Sequence, residues 1–274
     1  MEIIKNDYYM FNDSIKHSCE FDGEFISKGR SLYEVIRIYK GIPLFFEKHM
    51  NRMFNSANIS NLKLTFDDKK LKNIILKLTE INKVQFGNIK IVFNFYNNEC
   101  NFYCYFIEHH YPSEKDYENG VNTILFKGER KNPNAKIMDV SFRESTEKAI
   151  KDNKAFEAIL VDRNGNITEG SKSNIFMVKD KCVYTSPVED VLPGITRDII
   201  ISMILKCGYE LKEERINCKD IINMDGLFIS GTSPKVLPIN RVDDMCFNSQ
   251  ENLIIKEIYD SYEKYIEGYV KSFL

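Results

Sequence analysis

The chain has 274 residues, 43% hydrophobic and 28% charged, with a formal net charge of −2. That length suits one large or two modest globular domains, and the charge balance lacks the basic excess of a nucleic-acid-binding surface. Seven cysteines without a CxxC pair, no secretory signal in "MEIIKNDYYMFNDS" and no apolar run of membrane-spanning length lead us to expect a cytoplasmic protein with reduced thiols and no membrane partner. Most of the cysteines are expected to be small core residues.

Along the chain, "EVIRIYKGIPLFF" reads as two short strands about a Lys40-Gly41 turn. Met50, Met53, Phe54 and Ala57 recur at helical spacing in "EKHMNRMFNSANIS". A second helix is expected in "FDDKKLKNIILKLTEINK", with Asp67 or Asp68 as start signal and Leu71, Ile74, Ile75 and Leu78 as apolar stripe. "NIKIVFNFYNNECNFYCYFIEHH" reads as a hairpin turned at Asn97-Asn98. The polar stretch that follows marks a linker, giving a small domain over 1–113, a linker over 114–120 and a large domain over 121–274.

In the second half, "VNTILF" reads as a strand, "KGERKNPNAK" as a basic loop and "SFRESTEKAIKDNKA" as a polar helix. Two hairpins follow, "FEAILVDRNGNITEG" turning at Asn164-Gly165 and "SNIFMVKDKCVYT". "ITRDIIISMILKCG" is expected to be a helix ending at Gly208, "DGLFISG" and "KVLPI" strands, and the C-terminal stretch a helix with Ile254, Ile258, Tyr262, Tyr265 and Tyr269 on one face. Strand clusters with separate helices imply an α+β fold in two domains.

Several segments offer chemistry. The Pro-Gly turn of "LPGITRD" puts Ile195 and Thr196 at a helix start, where unpaired amides and the helix dipole favour an anion; alone, Thr196 reads as a simple cap. Lys136 in "NPNAKIMD" sits beside apolar residues, where an amine can turn nucleophilic, though alone it reads as a surface lysine. Glu169 alone is an acid in a turn, Arg52 a solvated helix residue, and "ISGTS" a tight turn. Adjacent His109 and His110 on a strand point to opposite faces, so no metal site is expected. Together, a lysine, an acid, a cation and helix-terminus amides supply what pyridoxal phosphate needs.

These segments resemble the class IV (fold-type IV) pyridoxal-phosphate enzymes: branched-chain aminotransferases, D-amino-acid transaminases and aminodeoxychorismate lyases. The resemblance runs through "GRSLYEVIRIYKG", "EKHMNRM", "NAKIMD", "EAILVDRNGNITEGSKSNIF", "VLPGITRD" and "LFISGTSPKVLPI". It implies a small N-terminal domain, a larger C-terminal one with a barrel-like sheet, pyridoxal 5′-phosphate between them, and a homodimer.

By the same resemblance Lys136 is the Schiff-base lysine, and its distance along the chain to Glu157 fits D-amino-acid transaminases. Glu169 is implied to face the pyridine nitrogen; Arg52, Ile195, Thr196 and Thr232 to hold the phosphate; Tyr33, Arg37, Gly231 and Ser233 to line the substrate pocket. Asp139, Ser141 and Pro234 depart from the usual pattern, and the strand "IKIVFNF" lacks the arginine that transaminases of D-amino acids and the lyases carry. The implied reaction is amino transfer between a small or branched apolar amino acid and a 2-oxo acid. The alternatives are elimination of pyruvate from aminodeoxychorismate, or a silent relative that only binds the cofactor.

Overall fold

The computed structural model describes residues 4–273. The chain divides into two units, one of Met1–His110, Ala135–Val140 and Gly268–Leu274, the other of Tyr111–Asn134 and Ser141–Glu267.

In the first unit, β1 (Tyr8–Phe11), β2 (Ser14–His17), β3 (Arg30–Tyr39), β4 (Ile42–Pro43), β5 (Phe86–Tyr96) and β6 (Glu99–Ile107) form an antiparallel sheet in the order β2-β1-β6-β5-β3-β4. Two tight turns set its register. Lys40 and Gly41 have φ of 53° and 76°, and Asn97 and Asn98 of 51° and 63°, the left-handed pairs that match strand twist in two-residue hairpins. The strand before Lys40 is longer than expected, and the β1–β2 hairpin was not signalled by its four-residue strands.

Helices α1 (Phe46–Ile59) and α2 (Asp68–Ile81) belong to the same unit, α2 being capped by Asp67, which accepts from the Lys70 amide at 2.8 Å. Met50, Met53, Leu71, Ile75 and Leu78 of these helices share a core with Leu32, Ile36, Ile38, Ile89, Ile91 and Phe93. Strand alternation therefore turns Tyr33, Val35 and Arg37 of β3 and Lys90 and Val92 of β5 to the opposite face.

The second unit starts with α3 (Glu114–Asn119), inside the stretch expected as a linker. Its signal is a capping box: Ser113 Oγ accepts from the Asp116 amide at 3.3 Å, and Asp116 accepts from the Ser113 amide at 2.7 Å. There follow β7 (Val121–Lys127), α4 (Val140–Asp152), β8 (Glu157–Val161), β9 (Asn166–Gly170), β10 (Asn174–Lys179), β11 (Cys182–Thr185) and α5 (Ile195–Lys206). Then come β12 (Glu210–Glu213), β13 (Ile216–Asn217), β14 (Gly226–Gly231), β15 (Lys235–Val242), β16 (Met245–Cys246) and α6 (Leu253–Phe273).

The strands join in one mixed sheet, β12-β11-β10-β14-β15-β7-β8-β9-β13, with β16 on β15; β7 runs parallel to β8 and β15. Its core is lined by Ile159, Ile175, Met177, Leu227, Ile229, Leu237 and Ile239. The expected α+β class is thus observed, with the larger sheet in the C-terminal half.

Two expectations are corrected. Tyr265 of α6 is 38% exposed; the buried stripe runs through Ile254, Ile258, Tyr262, Ile266 and Val270, and because each four-residue step advances it by about 40° round the helix, Tyr265 lies behind the stripe at that level. All seven cysteines are free, but only Cys104 and Cys182 are buried, while Cys19 and Cys246 are exposed. Among the described residues no helix is long and apolar enough to cross a membrane.

Candidate active site

Lys136 is carried by a short segment laid against β3. The Tyr33 amide donates to the Lys136 carbonyl at 3.2 Å, the Met138 amide to the Ser31 carbonyl at 2.9 Å, and Leu32 and Ile137 form an antiparallel bridge. The Lys136 amide donates to Ser56 Oγ on α1 at 3.2 Å. The backbone on both sides of the lysine is therefore tied down. Its Nζ lies 4.8 Å from the centroid of the Tyr33 ring, a cation–π distance. Lys90, 1% exposed, brings a second Nζ to 5.2 Å from the same ring.

Helix α1 places His49, Arg52 and Ser56 three and seven residues apart, on one face. Two of them meet Glu34, which is fully buried. Arg52 donates Nε and Nη2 to the two carboxylate oxygens at 2.7 Å each, and His49 Nδ1 is 2.8 Å from Oε2. Burial pushes the Glu34 carboxyl up, but the Arg52 guanidinium and the His49 hydrogen bond together outweigh it and hold the group far below the ordinary carboxylate range. His49 is shifted down, chiefly by burial against the pull of Glu34. Neutral His49 thus donates Nδ1–H to a carboxylate that can only accept.

In the second unit Glu169, 3% exposed, closes β9. Its Oε1 accepts from Arg130 Nε at 2.8 Å; its Oε2 accepts from the Leu192 amide at 3.1 Å and, at the 3.5 Å limit, from Asn174 Nδ2. Arg130 Nη2 also donates to the Ser171 carbonyl at 2.6 Å. Leu192 lies three residues before α5, so Glu169 and the start of that helix are tied together. The α5 N-cap is Gly194, with no side-chain cap, so the simple capping reading of Thr196 is corrected: Thr196 is the second helical residue and is buried.

The first-turn amides of α5 therefore meet no capping side chain and remain suited to an anion. A Cβ at Gly194 would stand 2.0 Å from Asn174 Oδ1. Gly194→Ala is accordingly expected to lower the unfolding free energy of this unit by about 1–3 kcal/mol, read as an earlier urea midpoint.

Gly231, Thr232 and Ser233 form the turn from β14 to β15, where Gly231 pairs with Lys235. A Cβ at Gly231 would be 3.6 Å from the Lys172 carbonyl, so this turn adjoins the one after Glu169. Beside it Ser230, opposite Asn174 in the β10–β14 ladder, has a fully buried hydroxyl without a hydrogen-bond partner. An uncapped helix start, an orphaned hydroxyl and a buried acid make a donor and acceptor set that fits a phosphate and a protonated ring nitrogen.

The structure thus places Lys136 beside Tyr33 in one unit, with Arg52 held on Glu34, whose side chain points to the other face of β3; in the other unit Glu169 is tied to the segment that leads into Ile195 and Thr196, and Gly231 opens the turn through Thr232. Arg37 lies on the same sheet face as Tyr33. Sequence reasoning missed Glu34, His49, Lys90, Arg130 and Ser56. Lys90 had a signal, a lone charge inside the apolar run "IKIVF"; Arg130 had none, being one basic residue in a basic loop. Of the departures, Asp139 and Ser141 are exposed, and the Pro234 carbonyl accepts from Tyr117 Oη at 3.1 Å.

The chain matches the family model described as amino-transferase class IV over residues 31–242. It is 30% identical over 262 residues to a D-alanine aminotransferase of Staphylococcus aureus strain N315, covering 88% of this chain and 90% of that protein. With a D-alanine aminotransferase of Bacillus licheniformis it shares 28% identity over 235 residues, 81% of this chain and 82% of that one. Among solved structures, a T.th. branched-chain amino acid aminotransferase with pyridoxamine 5′-phosphate is similar at a TM-score of 0.86 and 22% identity, covering 97% of this chain and 96% of that one. This last likeness is one of fold.

Proposed function

Because the chain belongs to the class IV aminotransferases, enzymes whose cofactor is pyridoxal 5′-phosphate, we propose that it moves an amino group between a small or branched apolar amino acid and a 2-oxo acid through Lys136. The observation that carries this reading is the placement of Lys136, held by its backbone on both sides with its amine beside the Tyr33 ring. A lysine whose backbone is so fixed has its Cα already placed, so only the side-chain torsions remain to be ordered when its nitrogen meets a reacting carbon.

Bound pyridoxal phosphate supplies an aldehyde that takes up the amine and a protonated ring that draws electrons from the substrate. Lys136 would hold that aldehyde carbon and, once displaced by the substrate amine, carry a proton away from the α-carbon and return it to the cofactor carbon. Glu169, paired with Arg130, would accept the hydrogen of the ring nitrogen. In the second unit the Ile195 and Thr196 amides and the Thr232 hydroxyl would offer donors to the phosphate; in the first, Arg52, its guanidinium plane fixed by Glu34, would offer it a cation. Tyr33, Arg37, Gly231 and Ser233 would border the substrate.

Lys90 joins this group. Its ammonium lies 5.2 Å and that of Lys136 4.8 Å from the Tyr33 ring centroid, so Lys90 would offer a cation to the carboxylate of a substrate bound beside that ring. Lys90→Met is expected to raise KM for the amino acid by about tenfold to a hundredfold with a smaller change in kcat, since a charge-assisted hydrogen bond to the bound carboxylate is lost.

The test is the visible absorbance of the cofactor-loaded protein before and after mixing with a panel of L- and D-amino acids. D-Alanine comes first because the named sequence relatives act on it by name. Loss of the band with a donor and its return with a 2-oxo acid would support amino transfer and identify the stereochemistry. A band indifferent to every donor, with pyruvate released from aminodeoxychorismate, would replace amino transfer by elimination.

A further inference from the structure

Glu157 opens β8 and is 5% exposed. Four donors converge on its two oxygens, which fills the acceptor capacity of a carboxylate. Oε1 accepts from Ser171 Oγ at 2.5 Å and from the Ala158 amide at 2.9 Å. Oε2 accepts from Ser173 Oγ at 3.0 Å and from the Lys172 amide at 3.2 Å. Three of these four donors belong to the turn that follows Glu169.

That turn is tight. The Gly170 amide donates to the Ser173 carbonyl at 2.8 Å, and the Ser171 amide to the Ala158 carbonyl at 2.9 Å. A Cβ at Gly170 would stand 2.0 Å from Ser173 Oγ and 3.2 Å from Glu157 Cγ, so the chain bends closely around the carboxylate. On its outer side the same turn offers the Ser171 carbonyl to Arg130, and Arg130 in turn donates to Glu169. At its far end Asn174 donates to Glu169 and to the Leu192 carbonyl. A second acid is thus linked to the first through the turn between them.

We propose that Glu157 is a positioning residue for Glu169: it grips the Ser171–Ser173 turn from within, and the turn holds Arg130 and Asn174 against the Glu169 carboxylate. The functional meaning rests on the reading that Glu169 serves the ring nitrogen of the cofactor. The geometric part can be read without cofactor, because the Leu192 amide donates to Glu169 and reports its position.

The experiment compares the wild type with Glu157→Gln, Arg130→Met and their double variant. In the cofactor-free proteins, Glu157→Gln is expected to speed hydrogen exchange about tenfold or more both at residues 171–173 and at the Leu192 amide. In the loaded proteins the pH at which the visible band titrates should move in the same direction as in Arg130→Met. The double variant should move no farther than Arg130→Met alone, since both changes act through Glu169.

Faster exchange at 171–173 with Leu192 unchanged, or a variant that melts earlier yet titrates as the wild type, would make Glu157 a fold anchor only and overturn the proposal. If Glu157→Gln does not fold, Ser171→Ala and Ser173→Ala each remove one donor and are judged by the same two readouts. A wild type that takes up no pyridoxal phosphate defeats the cofactor reading instead, and the Leu192 exchange then decides the geometric claim alone.

Discussion

If Lys136 has the role proposed for it, replacing it with alanine is expected to reduce amino-group exchange by at least about 10³-fold, because both a covalent hold on the cofactor and a proton carrier would be lost. Stability should stay within about 0.5 kcal/mol of the parent. The segment is anchored by backbone bonds to Ser31, Tyr33 and Ser56, which alanine keeps. Lys136→Arg separates charge from chemistry: it restores a cation beside the Tyr33 ring but offers no amine for transfer, so turnover should remain absent. The measurements are steady-state exchange and borohydride trapping of added cofactor followed by peptide mapping. Trapping at another lysine, or exchange surviving in both variants, would remove Lys136 from the reaction.

The second large effect concerns stability. Glu34→Ala leaves Arg52 buried without its carboxylate and His49 without its acceptor, and should lower the unfolding free energy of the first unit by about 3–5 kcal/mol. Glu34→Gln should fall between, since an amide still accepts from one donor. The same cluster makes stability depend on acid. The folded state holds both Glu34 and His49 below their ordinary pKa values, so each contributes stability above its unfolded pKa that is lost as the pH falls.

His49 acts first, from about pH 6.5 downward, with a slope approaching 1.4 kcal/mol per pH unit; Glu34 follows only in the carboxylate range. His49→Gln keeps a donor for Glu34 and should erase the upper part of that slope. Urea midpoints between pH 7 and 5 decide this. Parallel curves for His49→Gln and the wild type would show that His49 is not the titrating group.

The sequence exposed features whose physics is local. Turn pairs such as Lys40-Gly41 and Asn97-Asn98 announce themselves through Gly41 and the two asparagines, residue types that accept left-handed backbone most readily. The stripe of α2 and the Asp67 cap follow from helical spacing. Proposed site residues were legible where a motif carried them, as at Glu169 and Ile195. What stayed hidden is created by pairing between distant positions. Arg130 meets Glu169 across 39 residues of sequence, and Glu34 gathers His49 and Arg52 from a neighbouring helix. Glu157 could be placed in a strand, but nothing local says that its carboxylate will be enclosed by a turn fourteen to sixteen residues on.

The path of the chain also bears on how this protein can be taken apart. Residues 135–140 are grouped with the first unit although the chain before and after them builds the second, and the C-terminal end of α6 is grouped with the first unit again. Neither unit can be cut out as one uninterrupted stretch of sequence. A fragment ending at residue 110 lacks Lys136 and leaves β3 without the partner that Leu32 finds in Ile137. Exchange of whole halves with a relative would transplant the lysine apart from the strand that fixes it. Recombination with members of this family should therefore place its junctions so that residues 30–39 and 135–140 come from the same parent.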